Sequence, residues 1–362
     1  MEDHTVRSCV HDIFVPDYFL KFACKMGACR SACCQGWPVT VSQDNYFHLL
    51  GVSCSDELRR RLDCGMYLLD SPYPDAYACF GHRYDGNCSL RLPDGRCAIH
   101  AELGEEHLAD VCRLYPRGVR RSDCGDECSC ANSCEAVLEL FWGREEPISF
   151  SRQSVSLILP KLPDINHDLP PRAQRMTLIQ EMQQTHLTLP ERIEQVGRSL
   201  GLSVSPSPEV GRLARAVAAA YRMIVSLADR SESLHVIDLQ KLEHFADAAS
   251  AEHRYLEAKT DFAQHFPHWE TFFTHVLVNH MFFSQFPASI RKMDAAYTSL
   301  CLTYALLRFL AVGCTDHSAS DASLIDLCAA FFRVVEHTDF TALSMQLLRS
   351  IPDAAAGDLL VL

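Results

Sequence analysis

Fifteen of the chain's eighteen cysteines lie in its first 134 residues, and they are clustered. Cys24, Cys29, Cys33 and Cys34 fall within FACKMGACRSACCQGW; Cys88, Cys97 and Cys112 follow; Cys124, Cys128, Cys130 and Cys134 close the series. Such density admits a disulfide scaffold or a thiolate metal site, and the two belong to different redox compartments. The N-terminus, MEDHTVRSCVHDIFVPDY, opens acidic and lacks the apolar stretch of a secretory signal. No run reaches the ~20 apolar residues of a membrane span; LCLTYALLRFLAVGC is too short and carries Arg308. The expectation is a cytoplasmic protein with no membrane partner, in which clustered cysteines bind metal. Adjacent Cys33 and Cys34 cannot readily bridge each other, and an odd set of fifteen would leave one thiol unpaired, which also disfavours disulfides.

At 48% apolar and 22% charged residues the chain is globular, and 362 residues allow one large domain or two ordinary ones. A net charge of −13 argues against a nucleic-acid partner, which would require a basic surface, and suits a lysine-bearing protein partner. Plain solubility accounts for the same charge.

Residues 1–145 read as an irregular cysteine-rich module of short elements and many turns. Within it, SLRLPDGRCAI reads as a hairpin whose turn, Pro93-Asp94-Gly95, brings Cys88 and Cys97 together. GEEHLADVCRLYP reads as a short helix ended by Pro116, and CEAVLELFW as the next helix. A proline-rich connector spans 158–171. Residues 146–362 read as an α-helical domain, with helical periodicity in RAQRMTLIQEMQQTH, SPEVGRLARAVAAAYRMIVSLADR, SLHVIDLQKLEHFADAAS, HWETFFTHVLVNHMFFSQF, IRKMDAAYTSLCLTYALLRFLAVG, ASLIDLCAAFFRVVEH and FTALSMQLLRSI. The expected fold is mainly α, with the N-terminal module packed on the helical domain because a cysteine-rich piece of this size has little core of its own. Cys301, Cys314 and Cys328 lie in apolar helical patterns and read as core.

Structural zinc favours paired CxxC motifs, and none is present: the spacings are CxxxxCxxxCC, C-x8-C-x14-C and CxxxCxCxxxC. Iron–sulfur ligation tolerates scattered spacing provided four sulfurs converge. No GxGxxG follows a strand, which argues against a Rossmann-type cofactor site. CxxxCxxC is absent too, Cys29-x3-Cys33 supplying only part of it.

PDYFLKFACKMGACRSACCQGWPVTVS and GNCSLRLPDGRCAIHAELGEEHLADVCRLYPR resemble the signatures of the flagellin lysine-N-methylases, including the Cys-Arg-x-Tyr-Pro-Arg ending. Cys134-Glu135-Ala136 stands near that family's Cys-Pro-Glu element, one position out of step. WETFFTHVLVNHMFFSQFP, with Glu270, Asn279, Phe286 and Pro287, and RVVEHTDF, with Glu336 and His337, resemble later family motifs. The double cysteine and the Cys-Arg-x-aromatic-Pro element are also similar to a wider zinc- or iron-chelating domain family. The resemblance implies transfer of methyl from S-adenosylmethionine to lysines of flagellin, with a 4Fe–4S cluster whose ligands come from Cys24, Cys29, Cys33, Cys34, Cys88, Cys97, Cys112 and Cys134. The alternative is a non-enzymatic protein that stores or delivers iron, or zinc as the alternative metal.

Around that set, Arg113 and Arg117 are candidates to bind a cofactor carboxylate or cluster sulfide, against a plain salt-bridge role. Tyr115 reads as a packed aromatic, Trp37 as packing over the metal site, and His100 as a structural histidine with a possible donor role. Glu270 is a weak catalytic candidate, a carboxylate to help deprotonate the substrate ε-amine. Cys124, Cys128 and Cys130 read as an auxiliary metal site or as loop lining, and Cys9, Cys54, Cys64 and Cys79 as non-ligands.

Overall fold

The computed structural model describes residues 9–30, 33–35, 39–159, 162, 164–202, 211–231, 233–234, 237–316, 318–352 and 354–362, with only the backbone at 248 and 249. Trp37, parts of the proline-rich connector and the Ser-Pro-Glu start expected near residue 207 lie outside the described residues.

The N-terminal region is more regular than its turn-rich sequence suggests. Among the described residues, seven strands form two sheets. In the first, β1 (Cys9–Pro16) lies between β6 (Glu127–Cys130) and β7 (Phe150–Leu157), with β5 (Arg117–Arg120) outside β6. β1 pairs antiparallel with β7 from Cys9↔Leu157 to Pro16↔Phe150 and parallel with β6 at Phe14↔Glu127. Its residues alternate in burial as a half-buried strand requires: Ile13 and Val15 face the core while Asp12 is exposed. The second sheet has the order β2 (Val39–Val41), β4 (Ala76–Phe80), β3 (Met66–Tyr73), all antiparallel. Helices α1 (Gln43–Gly51) and α2 (Asp56–Gly65) precede β3, each capped by a serine, Ser42 and Ser55, whose hydroxyl accepts a first-turn N–H.

Two hydrophobic cores result, and they divide the chain elsewhere than at residue 145. The smaller is confined to residues 39–109 and buries Val41, Leu49, Leu58, Leu62, Phe80, Leu90 and Ile99 among others. The larger takes in β1, β6, β7 and everything that follows, so Ile13, Val15 and Tyr18 pack in one body with the helices. Because β7 completes the sheet begun by β1, the first strand belongs to the helical body.

That body contains α6 (Arg172–Met182), α7 (Leu189–Ser199), α8 (Arg212–Ala228), α9 (Ala248–His265), α10 (Trp269–Phe283), α11 (Met293–Cys314), α12 (Asp321–His337) and α13 (Phe340–Arg349). At its centre is α11, touching α7, α8, α9, α12 and α13. It is apolar on all sides, the pattern of a helix enclosed on all faces. The helix spanning Ile290–Cys314 is long and apolar enough to cross a membrane, but 89% of its apolar 18-residue window is buried inside the protein. Cys301 and Cys328 are fully buried and Cys314 packs against this core. The 233–250 segment, expected to be α-helical, instead forms a 3-10 turn over Leu239–Phe245. Leu242 and Phe245 there press against Gly313 of α11, where a longer residue would collide.

Buried charge ties the sheet to the helices. Glu127 of β6 accepts from Arg172 Nε at 2.8 Å and Arg175 Nη2 at 2.6 Å, all three side chains almost fully buried.

Candidate metal centre

A cavity of about 140 Å³ opens between the small core and the helical body. Its wall contains Cys24, Cys29, Cys33, Cys34, Cys88, Cys97, Cys112 and Cys134, and none of the other ten cysteines. Cys24 and Cys29 come from the loop after the 3-10 turn Phe19–Lys21, and Cys33 and Cys34 from the segment leading to β2. Cys97 occupies the N-cap of α3 (Ala98–Leu103), Cys112 lies within α4 (Asp110–Leu114), and Cys134 is the N-cap of α5 (Glu135–Glu139).

Backbone bonding fixes these positions. Cys88 N–H donates to the Cys34 carbonyl at 3.0 Å, and Arg91 and Cys97 form an antiparallel bridge. The tight turn between Cys88 and Cys97 is closed by Gly95 N–H on the Leu92 carbonyl at 3.0 Å. Gly95 has φ +87° and stacks on Gly27, φ +102°; a Cβ on Gly27 would lie 2.5 Å from the Gly95 carbonyl carbon. Glycine at both positions therefore lets the Cys24–Cys29 loop touch the hairpin.

The same loop is held to the helical body by charge. Lys25 Nζ lies 2.8 Å from Glu135 and 2.9 Å from Glu139, Arg30 N–H donates to Glu135 at 3.2 Å, and Arg30 Nε reaches Asp326 of α12 at 2.9 Å. Burial works to lower the Lys25 ammonium, but Glu135 and Glu139 outweigh it and the pKa is raised.

The thiols are not disulfide-bonded. Burial, then Glu135, pushes Cys29 up to about 11; burial, with smaller contributions from neighbouring cysteines, pushes Cys88 and Cys134 to about 12 and raises Cys97 and Cys112 as well. Cys34 moves the other way, to about 7: it accepts a hydrogen bond from Cys33, against burial, and faces Arg91. Among the described residues no group of three or more His, Cys, Asp or Glu side chains is arranged to hold a metal ion. The sulfurs surround a space without meeting at one point.

Behind the cavity lies a polar junction. Tyr115 and Ser133 line the wall, Tyr115 Oη is 3.1 Å from Ser133 Oγ, and Ser133 Oγ is 2.7 Å from His337 Nε2. Burial holds the Tyr115 phenol well above its ordinary range, so it stays protonated. The adjacent Glu336 side chain is fully buried, paired to His280 Nδ1 at 3.3 Å, and burial raises its carboxyl. Asn279 of α10 accepts from the Tyr18 hydroxyl and donates to the Cys130 carbonyl at 2.8 Å and to Asn132 at 2.7 Å. Residues of α10 and α12 thus hold the 130–134 segment that presents Ser133 and Cys134.

His100 lines the cavity. Arg113 and Arg117 do not: Arg113 is buried against Asp110 and the Leu108 carbonyl, and Arg117 stacks its guanidinium over Phe22 at 5.2 Å. Glu270 also stands elsewhere, accepting the Leu189 N–H at 2.7 Å at the start of α7, with Arg192 3.6 Å away. Cys128 and Cys130 are buried on β6 in the large core and Cys124 is exposed, so those three do not converge. Cys79 is buried in β4, and Cys9, Cys54 and Cys64 lie away from the cavity. Glu135 is the cavity residue whose part was hidden in the sequence, because its partners Lys25 and Arg30 are more than a hundred residues away.

Residues 178–351 match the family described as FliB lysine N-methylase C-terminal domain. No curated protein and no solved structure matches the chain.

Proposed function

We propose that the chain is a lysine N-methylase that transfers methyl groups from S-adenosylmethionine to lysine side chains of flagellin, with a 4Fe–4S cluster held in the cysteine-lined cavity; the match of residues 178–351 to the FliB lysine N-methylase C-terminal domain supports this. The domain match carries the methylase half of this reading. The cavity supports the other half: eight reduced thiols in one wall form a donor set suited to iron and sulfide. A cluster places its own atoms between its ligands, so thiolates spread around a space suit it better than they suit a single zinc ion.

When bound, the cluster would supply an iron able to coordinate the amino and carboxylate groups of S-adenosylmethionine. The protein's own residues do the rest. Glu135 and Glu139 already hold the ammonium of Lys25 at the cavity wall, so this edge can receive a lysine side chain. An ε-amine must lose its proton before it can attack a methyl group. Glu135, 1% exposed in its side chain and at the cavity, fills the acceptor role more directly than Glu270. Tyr115, kept protonated, is linked through Ser133 to His337, and this chain keeps Cys134's segment in place.

The test is incubation of anaerobically purified protein with flagellin and S-adenosylmethionine, read by mass spectrometry of the lysines. Methyl-lysine is expected, and Glu135→Gln is expected to slow its formation by about 10²-fold or more, the scale of one general base. Unmodified lysines with a loaded cluster refute the reading.

A further inference from the structure

The chain carries six lysines against 27 arginines. Arginine makes several of the ties between distant elements, its planar fork matching a carboxylate: Arg144 holds Asp17 with two bonds, and Arg172 and Arg175 hold Glu127. Lysine stands at one place where arginine would clamp as well or better. Among the described lysines, Lys25 is the one in the wall of the cysteine cavity. Lys21 and Lys292 are exposed, Lys241 pairs with Asp316, and Lys259 bonds the Val361 carbonyl. The Lys25 side chain is 26% exposed. Its ammonium has three N–H groups. Two are taken, by Glu135 at 2.8 Å and Glu139 at 2.9 Å, and among the described residues the third has no partner. The loop cannot carry this nitrogen away, because Gly27 rests on Gly95 and Arg30 is bonded to Glu135 and Asp326. A surface lysine samples many rotamers; this one is fixed at a cavity wall with one position of its nitrogen open, which is what a reaction asks of an acceptor.

We infer that Lys25 is a methyl acceptor in cis: it occupies the place beside Glu135 and Glu139 that a flagellin lysine takes, and receives one methyl group there. This deepens the proposed function and rests on it for the methyl donor. The open position decides the chemistry. Nζ first loses the proton at that position to water, and its electron pair then points away from both carboxylates. That pair forms the N–C bond with the methyl of S-adenosylmethionine. The C–S bonding pair stays on sulfur, which leaves as a neutral thioether, and the nitrogen regains its positive charge. The N–H groups on Glu135 and Glu139 are untouched, so the clamp survives one methylation. A second methyl would take the place of a bonded N–H and cost a charge-assisted hydrogen bond. The modification therefore stops at monomethyl-lysine.

The experiment incubates the anaerobically loaded full chain with S-adenosylmethionine bearing a deuterated methyl group, with and without flagellin, and maps every lysine by peptide mass spectrometry. One labelled methyl is expected on Lys25 and none on Lys21, Lys241, Lys259 or Lys292. Its rate should not change when the protein is diluted, since acceptor and site share one chain. A second readout needs neither cluster nor donor. Lys25→Met empties the place beside Glu135 and Glu139, so calorimetry of the unloaded protein should show flagellin binding tightened by about tenfold, the scale of one hydrogen bond to a charged group. Label on flagellin alone overturns the inference and leaves the methylase reading standing. So does trimethylation of Lys25, labelling that slows on dilution, or unchanged flagellin binding by a folded Lys25→Met. Where Lys25→Met fails to fold, the wild-type labelling decides alone. Label on neither protein overturns the methylase reading, and the inference with it.

Discussion

The small core and the helical body solve the same problem with different means. The helical body encloses α11 in five neighbouring helices and fills the space with Leu, Phe, Ala and Val. Among the described residues the small core buries thirteen, four of them Ala or Cys, under two thin helices and a three-stranded sheet. A core that slight lies at the margin of independent stability and is usually supplemented by metal or covalent links. Its edge carries Cys34, Cys88, Cys97 and Cys112. The lesson is one of division of labour: apolar burial fixes the body, and ligand binding is expected to fix the cap.

The sharpest way to break that contrast is to strip the proposed metal. Chelation under anaerobic conditions should expose the amides of residues 39–112 to rapid hydrogen exchange while α10, α11 and α12 keep their protection, because metal-binding free energy is folding free energy only where the ligands sit. Hydrogen-exchange mass spectrometry reads it. Equal loss in both regions would show one cooperative unit.

The reverse perturbation acts inside the body. Glu127 is buried between Arg172 and Arg175. Glu127→Ala leaves two cations without their counter-ion, a change of about 3–5 kcal/mol. Melting temperature should fall sharply, while the metal content of the folded fraction stays unchanged if the two regions are independent.

Acid gives a graded test. His275 is 2% exposed, its Nε2–H donates to the Arg144 carbonyl at 3.1 Å, and burial is the main cause holding its pKa down at about 4. The unfolded chain, with an imidazole near 6.5, binds the extra proton between those values. The stabilisation is therefore complete above about pH 6.5 and is lost as pH falls toward 4, by about 3 kcal/mol in total. His275→Gln keeps a donor without titrating, so it should flatten this limb in denaturant melts of the body. An unchanged limb would place the sensitivity elsewhere, His337 of α12, which burial also holds down at about 4, being the first candidate.

How much of this was legible beforehand follows from distance along the chain. Type and clustering marked the N-terminal cysteines, the resemblance to the flagellin lysine-N-methylases singled out the eight that line the cavity, and the turn at Pro93-Asp94-Gly95 is local chemistry that formed where expected. The pairing of β1 with β7 was invisible, since each strand shows a short alternation and neither names its partner. Helix α7 carried a readable start, the Thr188–Glu191 capping box with proline in the first turn, which apolar spacing alone passed over. In Leu239–Phe245 the apolar spacing was real, but the segment is a 3-10 turn whose Leu242 and Phe245 press on Gly313 of a distant helix. Glu270 looked chemical because it was acidic in a family-like motif, and the structure engages it with Leu189 and Arg192. A capping contact between distant segments leaves no mark in either.

The smallest effect probes the junction between the two regions. Gly95 has φ +87°, and a Cβ there would run into the Gly27 carbonyl oxygen. Gly95→Ala must therefore bear left-handed strain, about 1–3 kcal/mol, and push the Cys24–Cys29 loop off the hairpin. Because the loop is independently clamped to Glu135 and Asp326, the helical body should keep its melting temperature. The change should appear as weaker metal retention during chelator challenge, with Gly143→Ala as the control: Gly143 also has positive φ, but a Cβ there meets nothing within 4 Å. If both variants behave alike, strain alone is at work. If only Gly95→Ala sheds metal, the close approach of the two glycines is what holds the cavity's walls together.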